Sequence, residues 1–365
     1  MTSYVLAGGG TAGHVNPLIA TAKAILEEDP DAHICAVGTP GGLEEELVPR
    51  AGFDLELIER APFPRRPGMA MLMFPQKFLR AVDSATHLLR SRRANVVIGF
   101  GGYASTPIYL AARKLGIPIV VHEGNASPGL ANKLGARFAD VVALTFDSTP
   151  LAARRGETIT VGLPLRQAIQ DLAESDRTEA RALAAAKFGL DPRREILLIT
   201  GGSLGAAHLN EVAGESLSAI RERGFQVLHI TGKGKADAVR QAVGCEDDYV
   251  VLEYLNDMQD AYAVADLALT RSGAGMVAEL SALNIPAIFV PLPIGNGEQE
   301  KNAADVVSAG GAELVRDRDF HHERFAQLLT QLDAQRLAQM RDSLDGVSPM
   351  DAAAALGQIA MGVTK

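Results

Sequence analysis

The sequence predicts an α/β protein built as two doubly wound, Rossmann-like domains with a cleft between them. Three observations carry this expectation. A buried apolar strand, a glycine turn and a helix follow one another twice: Tyr4–Ala7, Gly8-Gly9-Gly10-Thr11-Ala12-Gly13-His14 and Pro17–Leu26, then Ile196–Thr200, Gly201-Gly202-Ser203-Leu204-Gly205-Ala206 and Leu209–Ile220. Short apolar runs alternate with helical patterns through both halves, as parallel strands joined by crossover helices do. A chain of 365 residues is also too long for one ordinary core.

In chain order, the first half places strands at Tyr4–Ala7, His33–Val37, Asn95–Phe100, Ile117–Val121 and Val141–Leu144, with helices at Pro17–Glu28, Phe78–Arg92 and Thr106–Leu115. The break falls near Val161-Gly162-Leu163-Pro164, where a short strand meets Pro, and a polar helix over Asp171–Lys187 precedes the second start. The second half repeats the rhythm with strands at Ile196–Thr200, Gln226–Thr231, Tyr249–Leu252, Leu267–Thr270, Ala287–Val290 and Ala312–Val315. Pro349–Met361 reads as a tail helix packing back across the hinge. The expected domains are therefore 1–162 and 163–343, with 344–365 returning to the first.

Composition bounds the function. The chain is 47% apolar and 22% charged, as globular proteins are, and its net charge of −9 argues against wholesale nucleic-acid binding. Cys35 and Cys245 are far apart, which fits a reducing cytoplasm. The N-terminus lacks the basic stretch and apolar core of a signal peptide, and no run approaches the ~20 apolar residues of a spanning helix.

Each glycine turn sets a helix N-terminus at the carboxyl end of a strand, where unpaired N–H groups and the helix dipole attract phosphate. The expected ligand therefore carries phosphates. Gly8, Gly10 and Gly13 also satisfy G-x-G-x-x-G, whose obvious alternative is a nicotinamide dinucleotide site. That site wants an acidic residue at the end of the second strand to bond the ribose. Here the strand ends in Gly38-Thr39-Pro40, and Glu27, Glu28 and Asp29 come too early.

The sum of motifs is more specific than any one of them. Gly9-Gly10-Thr11-Ala12-Gly13-His14-Val15-Asn16-Pro17 resembles the first glycine loop of the MurG family of peptidoglycan glycosyltransferases. The resemblance continues through Gly99–Ser105, His122–Asn132 and Gly201–Ala206, then Arg271-Ser272-Gly273-Ala274 leading to Glu279, and Pro291-Leu292-Pro293 leading to Gln299 and Asn302-Ala303. These blocks run in family order from residue 4 to about residue 316. Ala12, Gly124, Leu163 and Leu204 stand where members often carry Gly, Gln, Asn and Gln, and the loop from Ile294 to Glu298 looks like the actinobacterial branch.

The resemblance implies a GT-B-type, inverting enzyme that moves N-acetylglucosamine from UDP-GlcNAc to the 4-hydroxyl of lipid-linked N-acetylmuramoyl-pentapeptide (undecaprenyl-pyrophosphoryl-MurNAc-pentapeptide). Such an enzyme works at the cytoplasmic face of the plasma membrane, in peptidoglycan synthesis, with no cofactor and no metal. It places the acceptor on the first domain and UDP-GlcNAc on the second. Two rivals remain: a GT-B transferase with a soluble acceptor, and a non-catalytic nucleotide-sugar-binding protein. Asp317-Arg318-Asp319 matches the D-x-D of metal-dependent sugar transferases, but lies after the last strand and reads as a solvated turn.

Transfer to a hydroxyl needs a base for its proton and help for the departing diphosphate. His14, at a helix N-terminus that disfavours imidazolium, is a candidate base, or else binds acceptor phosphate or caps its helix. Glu123, at a strand's carboxyl end, could be the base, orient His14 or the acceptor sugar, or bond local backbone around Asn125. Asn125 is a candidate sugar contact, and His122 a packed strand-end residue. By resemblance, the acceptor also meets Gly10, Thr11, Ala12, Gly13, Gly102, Tyr103 and Ser105. On the donor side, Gly202, Ser203 and Gly205 offer donors to the diphosphate, and Ser272, Gly273 and Ala274 form a second anion-binding turn. Glu279 can accept from both ribose hydroxyls; Arg271 and Arg166 are cations for the leaving group. Gln299 and Asn302 suit the sugar, and Leu255, by resemblance, reads uracil through its backbone.

Residues 62–93 carry a membrane signal. Met69, Met71, Leu72, Met73, Phe74, Phe78 and Leu79 crowd together, edged by Arg65, Arg66, Lys77, Arg80, Arg90, Arg92 and Arg93. Bases around exposed apolar residues suit an anionic lipid surface. The alternative is an amphipathic helix packing on its own domain, as expected of Leu88 and Leu89.

Overall fold

The apolar runs form strands of two parallel sheets, each in a compact unit of its own. The computed structural model describes residues 1–61, 69–202, 205–244, 246–293 and 297–364, without the side chains of Met69, Ala70 and Leu72. One unit comprises Met1–Arg166 and Pro349–Lys365, the other Gln167–Ser348. The chain thus changes unit a few residues beyond 162 and 343.

In the first unit, strands β1 (Ser3–Ala7), β2 (His33–Gly38), β3 (Asp54–Leu57), β4 (Val96–Gly99), β5 (Ile119–Glu123), β6 (Val141–Leu144) and β7 (Glu157–Thr160) pair in the order 3-2-1-4-5-6-7, all parallel. Its helices are α1 (Ala12–Glu28), α2 (Glu44–Arg50), α3 (Met69–Ser91), α4 (Ser105–Leu115) and α5 (Leu130–Gly135). The central strands are apolar at nearly every position because helices cover both faces, and Val5, Leu6, Val97, Ile98 and Val120 are wholly buried.

The second unit pairs β8 (Ile196–Thr200), β9 (Gln226–Ile230), β10 (Tyr249–Leu252), β11 (Leu267–Thr270), β12 (Ala287–Phe289) and β13 (Ala312–Leu314) in the order 10-9-8-11-12-13, again all parallel. Around it run α6 (Gln167–Glu174), α7 (Arg177–Phe188), α8 (Ala207–Glu215), α9 (Leu217–Glu222), α10 (Ala236–Val243), α11 (Met258–Val264), α12 (Ala274–Ala282), α13 (Glu298–Asn302), α14 (Ala304–Ala309), α15 (His322–Gln331) and α16 (Ala334–Asp342). The tail helix α17 (Ala352–Gly362) belongs to the first unit, where Ala353 packs with Ala20 and Ala24 of α1.

Five elements differ from the sequence expectation. β3 is not expected from the sequence, and β7 ends at Thr160, just before the short strand expected near Val161–Pro164; both are sheet edges, and β7 is exposed throughout, so neither shows an apolar run. The polar helix over Asp171–Lys187 is two helices, because Asp176 caps α7 by accepting from the Thr178 and Glu179 amides. Leu209–Ile220 likewise breaks at Ser216, whose hydroxyl donates to the Val212 carbonyl. Helix α1 begins at Ala12, before Pro17; Pro17 sits inside it and offers no N–H to the Gly13 carbonyl.

Candidate functional site

In a doubly wound sheet, ligands gather outside the carboxyl ends of the strands where the strand order reverses. That point lies between β1 and β4 in one unit and between β8 and β11 in the other. The glycine motifs sit there: residues 8–13 follow β1, 100–105 follow β4, 201–206 follow β8 and 271–274 follow β11.

In the first unit, the β1 and β4 loops interlock. Gly102 has φ +83°, and a Cβ there would lie 2.7 Å from the Gly9 carbonyl oxygen, so no other residue fits. Gly101, at φ +97°, lies beneath His14, whose Nε2 would be 3.1 Å from an added Cβ. The His14 Nδ1 is 3.0 Å from the Gly9 carbonyl oxygen and 3.4 Å from the Thr11 hydroxyl. A carbonyl only accepts, so Nδ1 carries the proton and Nε2 of the neutral ring remains an acceptor.

Several expected acceptor contacts are spent on the protein itself. The Gly10 amide donates to Glu44 Oε2 at 2.8 Å and so is not directed at phosphate. Ser105 is buried; its hydroxyl accepts from the Gly101 amide and lies 2.7 Å from the Gly101 carbonyl and 2.9 Å from that of Ala7. It braces the loops rather than reaching a ligand. Thr11, Gly13 and Tyr103 are exposed, Ala12 and Gly102 half-buried, and the Arg60 guanidinium stacks 4.6 Å from the Tyr103 ring centre.

Glu123 is buried at the end of β5, and both its oxygens are engaged. Oε1 accepts from the Asn125 amide at 3.0 Å; Oε2 accepts from the Gly129 amide at 2.9 Å and Asn132 Nδ2 at 3.1 Å. This is the local-backbone alternative: the carboxylate shapes the loop that presents half-buried Asn125. His122 is buried too, with Nε2 3.1 Å from the Gly162 carbonyl; burial pushes its pKa down to about 4, the carbonyl opposing.

In the second unit, Gly202 and Gly205 have φ +79° and +66°, and a Cβ at Gly205 would overlap the Thr231 carbonyl. Ser203 and Leu204 lie outside the described residues. At the end of β11, Ser272 is fully buried, and its hydroxyl has no hydrogen-bond partner among the described residues. Gly273 caps α12, whose first residue is Ala274. One turn on, half-buried Glu279 accepts from the Tyr262 hydroxyl at 2.7 Å.

Arg271 is buried and turned inward. Its Nη1 lies 2.9 Å from the Val290 carbonyl, 3.2 Å from that of Pro291 and 2.6 Å from Asp317 Oδ1. Asp317 also meets His208 Nδ1 at 3.1 Å. Burial alone would raise the Asp317 pKa, but bonds from His208 and Arg271 hold it below the usual range. Asp317 is therefore a partner of Arg271 and not the solvated turn residue its D-x-D setting suggested. Gln299 accepts from the Leu292 amide at 2.9 Å, and buried Asn302 donates to the Ser272 carbonyl at 3.4 Å. Leu255 is half-buried after β10, and Arg166 is half-buried at the end of the first unit's main segment.

Of the membrane segment, Arg65 and Arg66 lie outside the described residues, as do the side chains of Met69 and Leu72. Helix α3 buries Ala81, Ala85, Leu88 and Leu89 at helical spacing. Among the described side chains of its N-terminal half none is fully buried: Met71, Met73 and Leu79 are 42%, 46% and 64% exposed, beside exposed Lys77 and Arg80, and half-buried Phe74 stacks on half-buried Phe78 at 5.4 Å. Arg92 is spent differently, pairing with Asp54 at 3.1 Å and with Glu56 at 2.5 Å. No helix among the described residues is long and apolar enough to cross a membrane.

Three residues escaped the sequence reading: Glu44, Tyr262 and Arg60. Only Glu44 left a trace, because it shares the i, i+4 face of α2 with buried Val48.

Residues 4–144 match the glycosyltransferase family 28 N-terminal domain, and residues 196–354 the family 28 C-terminal domain. A protein of Bifidobacterium longum is 48% identical over 359 residues, covering 92% of this chain and 91% of its own. One of Nocardioides sp. is 50% identical over 361 residues, covering 98% and 97%. Both carry the name UDP-N-acetylglucosamine--N-acetylmuramyl-(pentapeptide) pyrophosphoryl-undecaprenol N-acetylglucosamine transferase. The crystal structure of Acinetobacter baumannii MurG superposes with a TM-score of 0.80 at 28% identity, covering 100% of each chain. That of CalG4, the calicheamicin glycosyltransferase, has a TM-score of 0.69 at 15% identity over 99% of each, a likeness of fold alone. The fold is of the GT-B type, and the chain belongs to glycosyltransferase family 28.

Proposed function

We propose that this chain is a UDP-GlcNAc-dependent N-acetylglucosaminyltransferase that glycosylates the 4-hydroxyl of lipid-linked N-acetylmuramoyl-pentapeptide. One observation carries the reading: about half of all residues, across both units, are shared with transferases of that name. The reaction is a single inverting displacement. The acceptor oxygen bonds to the anomeric carbon as its proton passes to a base. The bond from that carbon to UDP breaks, and its electron pair leaves on the diphosphate, giving a β-linked disaccharide and UDP.

His14 is the base. Support comes from its ring, held with Nδ1 toward the Gly9 carbonyl so that Nε2 can accept, while the oxygens of Glu123 already accept three hydrogen bonds. Asn125, Tyr103 and the turn from Thr11 to Gly13 line the acceptor site; Gly10, Gly102 and Ser105 build it. The second unit takes UDP-GlcNAc. Glu279, fixed by Tyr262, accepts from the ribose hydroxyls, and the Ser272 hydroxyl joins the Gly273 and Ala274 amides at the diphosphate, where an α12 N-terminus favours negative charge. On the other turn the Gly202 amide donates to the Thr200 hydroxyl at 3.2 Å and the Gly205 amide to the Gly202 carbonyl at 2.9 Å, which leaves Ser203 as the donor proposed there. Arg271 braces the Ser272 turn through Asp317, Arg166 supplies a further cation, Gln299 and Asn302 shape the sugar pocket, and the Leu255 backbone meets uracil.

The N-terminal half of α3 docks on the anionic cytoplasmic face of the membrane, where the lipid-linked acceptor resides. Its unburied Met71, Met73 and Leu79 beside Lys77 and Arg80 support this. The test is a donor panel of UDP-GlcNAc, UDP-GalNAc and UDP-Glc with a lipid-linked muropeptide analogue. UDP-GlcNAc is expected to turn over fastest; preference for another donor refutes the sugar assignment.

A further inference from the structure

We propose that Glu44 is a positioning residue that acts on His14 through the Gly9–Gly10 peptide group, an inference that rests on His14 being the base. Glu44 is wholly buried, at 0% exposure, at the start of α2. Its Oε2 accepts from the Gly10 amide at 2.8 Å and its Oε1 from the Thr39 amide at 3.0 Å. A Cβ at Gly9, Gly38 or Gly42 would overlap the carboxyl group, so three glycines make the space it fills.

The Gly10 N–H and the Gly9 carbonyl belong to one planar peptide group. The carboxylate holds the N–H end, and His14 Nδ1 is 3.0 Å from the carbonyl end. The line is carboxylate, peptide, imidazole. A charged acceptor on the N–H polarises the peptide and makes its carbonyl a stronger acceptor. That fixes the Nδ1–H tautomer, aims Nε2, and stabilises the imidazolium formed when the acceptor proton arrives, as a directly bonded carboxylate does in hydrolase triads. The residue type fits, because only a carboxylate accepts at both oxygens, and Gln would leave Thr39 or Gly10 facing an NH₂ group. It also explains why the Gly10 amide, in a loop that otherwise suits phosphate, is occupied from within.

Of the other titratable groups nearby, His122 has its pKa pushed down to about 4 by burial, and Glu123 accepts three hydrogen bonds.

The first measurement is the ring-nitrogen NMR spectrum of the unmutated protein, with His14 assigned by loss of its signals in His14→Ala. The Nδ1–H tautomer is expected; the Nε2–H tautomer overturns the proposal, and this measurement stands even if no Glu44 variant folds. The second uses Glu44→Gln. Losing the partner that orients a metal-bound histidine typically costs about 10- to 100-fold, and a fall of that order in kcat is expected here. The acid limb of the kcat–pH profile should move to lower pH and Nε2–H should gain population, with the UDP Kd unchanged. A kcat loss with the profile and tautomer unmoved overturns the link, as does an unchanged kcat. If His14→Ala keeps its kcat while Glu44→Gln shifts the tautomer, the base assignment fails and the link stands.

Discussion

Glu279→Ala tests the donor site. The carboxylate is half-buried and receives the Tyr262 hydroxyl at 2.7 Å, so its orientation is set before UDP arrives. On the proposed donor site, removing it deletes the acceptor for both ribose hydroxyls. A hydrogen bond to a charged group is worth about 1.5–3 kcal/mol, and water reaching a half-open side chain keeps the pair toward the low end. A total loss of about 2–3 kcal/mol corresponds to a roughly 30- to 150-fold weaker Kd. Tyr262→Phe keeps the charge but frees its rotamer, and losing one orienting bond should cost about 1 kcal/mol, or roughly fivefold. Because UDP and UDP-GlcNAc share the ribose, both ligands should weaken together in each variant. Isothermal titration calorimetry reads these values directly, with urea unfolding as the check on folding. A folded Glu279→Ala that binds UDP with unchanged affinity refutes the assignment, and so does a loss confined to UDP-GlcNAc.

His14→Ala should leave UDP affinity intact and lower kcat about 10²–10⁴-fold, the usual cost of losing a general base; steady-state kinetics showing only a raised acceptor KM would make it a binder. Co-sedimentation with vesicles should rise with anionic lipid and fall with salt, since each nearby base contributes about 1 kcal/mol that salt screens. Lys77→Ser with Arg80→Ser, or Met71→Asp, should weaken it without changing UDP binding; a large fall in Tm for Met71→Asp would place that side chain in the core instead. Stability should drop on mild acidification, because burial holds the pKa of His122 down to about 4 and that of His229 down to about 3. The unfolded chain takes up protons below about pH 6.5 where the folded one does not, so each site costs about 2 kcal/mol of stability by pH 5. Urea midpoints that stay flat from pH 7 to 5 would contradict this.

Much of this fold was legible because central parallel strands are buried on both faces and so appear as unbroken apolar runs. Ile196–Thr200 and Leu267–Thr270, buried throughout, coincide with β8 and β11. The edge strands of the first sheet bury less and leave no such run: Asp54–Leu57 alternates charge with leucine, and Glu157–Thr160 is exposed throughout. The glycine turns were legible because positive φ and close backbone approach admit no other residue, as at Gly102 and Gly205. What the side chains there do was less so. Ser105 and Gly10 stand in a ligand motif yet bond to the protein, and Asp317 sits in a turn-like tripeptide yet pairs with Arg271. Glu44 was hidden by its neighbours. In Glu44-Glu45-Glu46 a charge run reads as a solvated face, and only the fold brings Gly9, which follows β1, together with Gly38 and Gly42 around one of the three carboxylates.

The most direct test of the central claim is label transfer in one vessel. The protein, UDP-[¹⁴C]GlcNAc and vesicles carrying the lipid-linked N-acetylmuramoyl-pentapeptide are incubated together, and label in the lipid fraction is counted against UDP released. Label is expected in the lipid fraction in a one-to-one ratio with UDP, as a β-linked disaccharide, and none without the acceptor. Turnover of a soluble aglycone with no label entering the lipid-linked acceptor would contradict it.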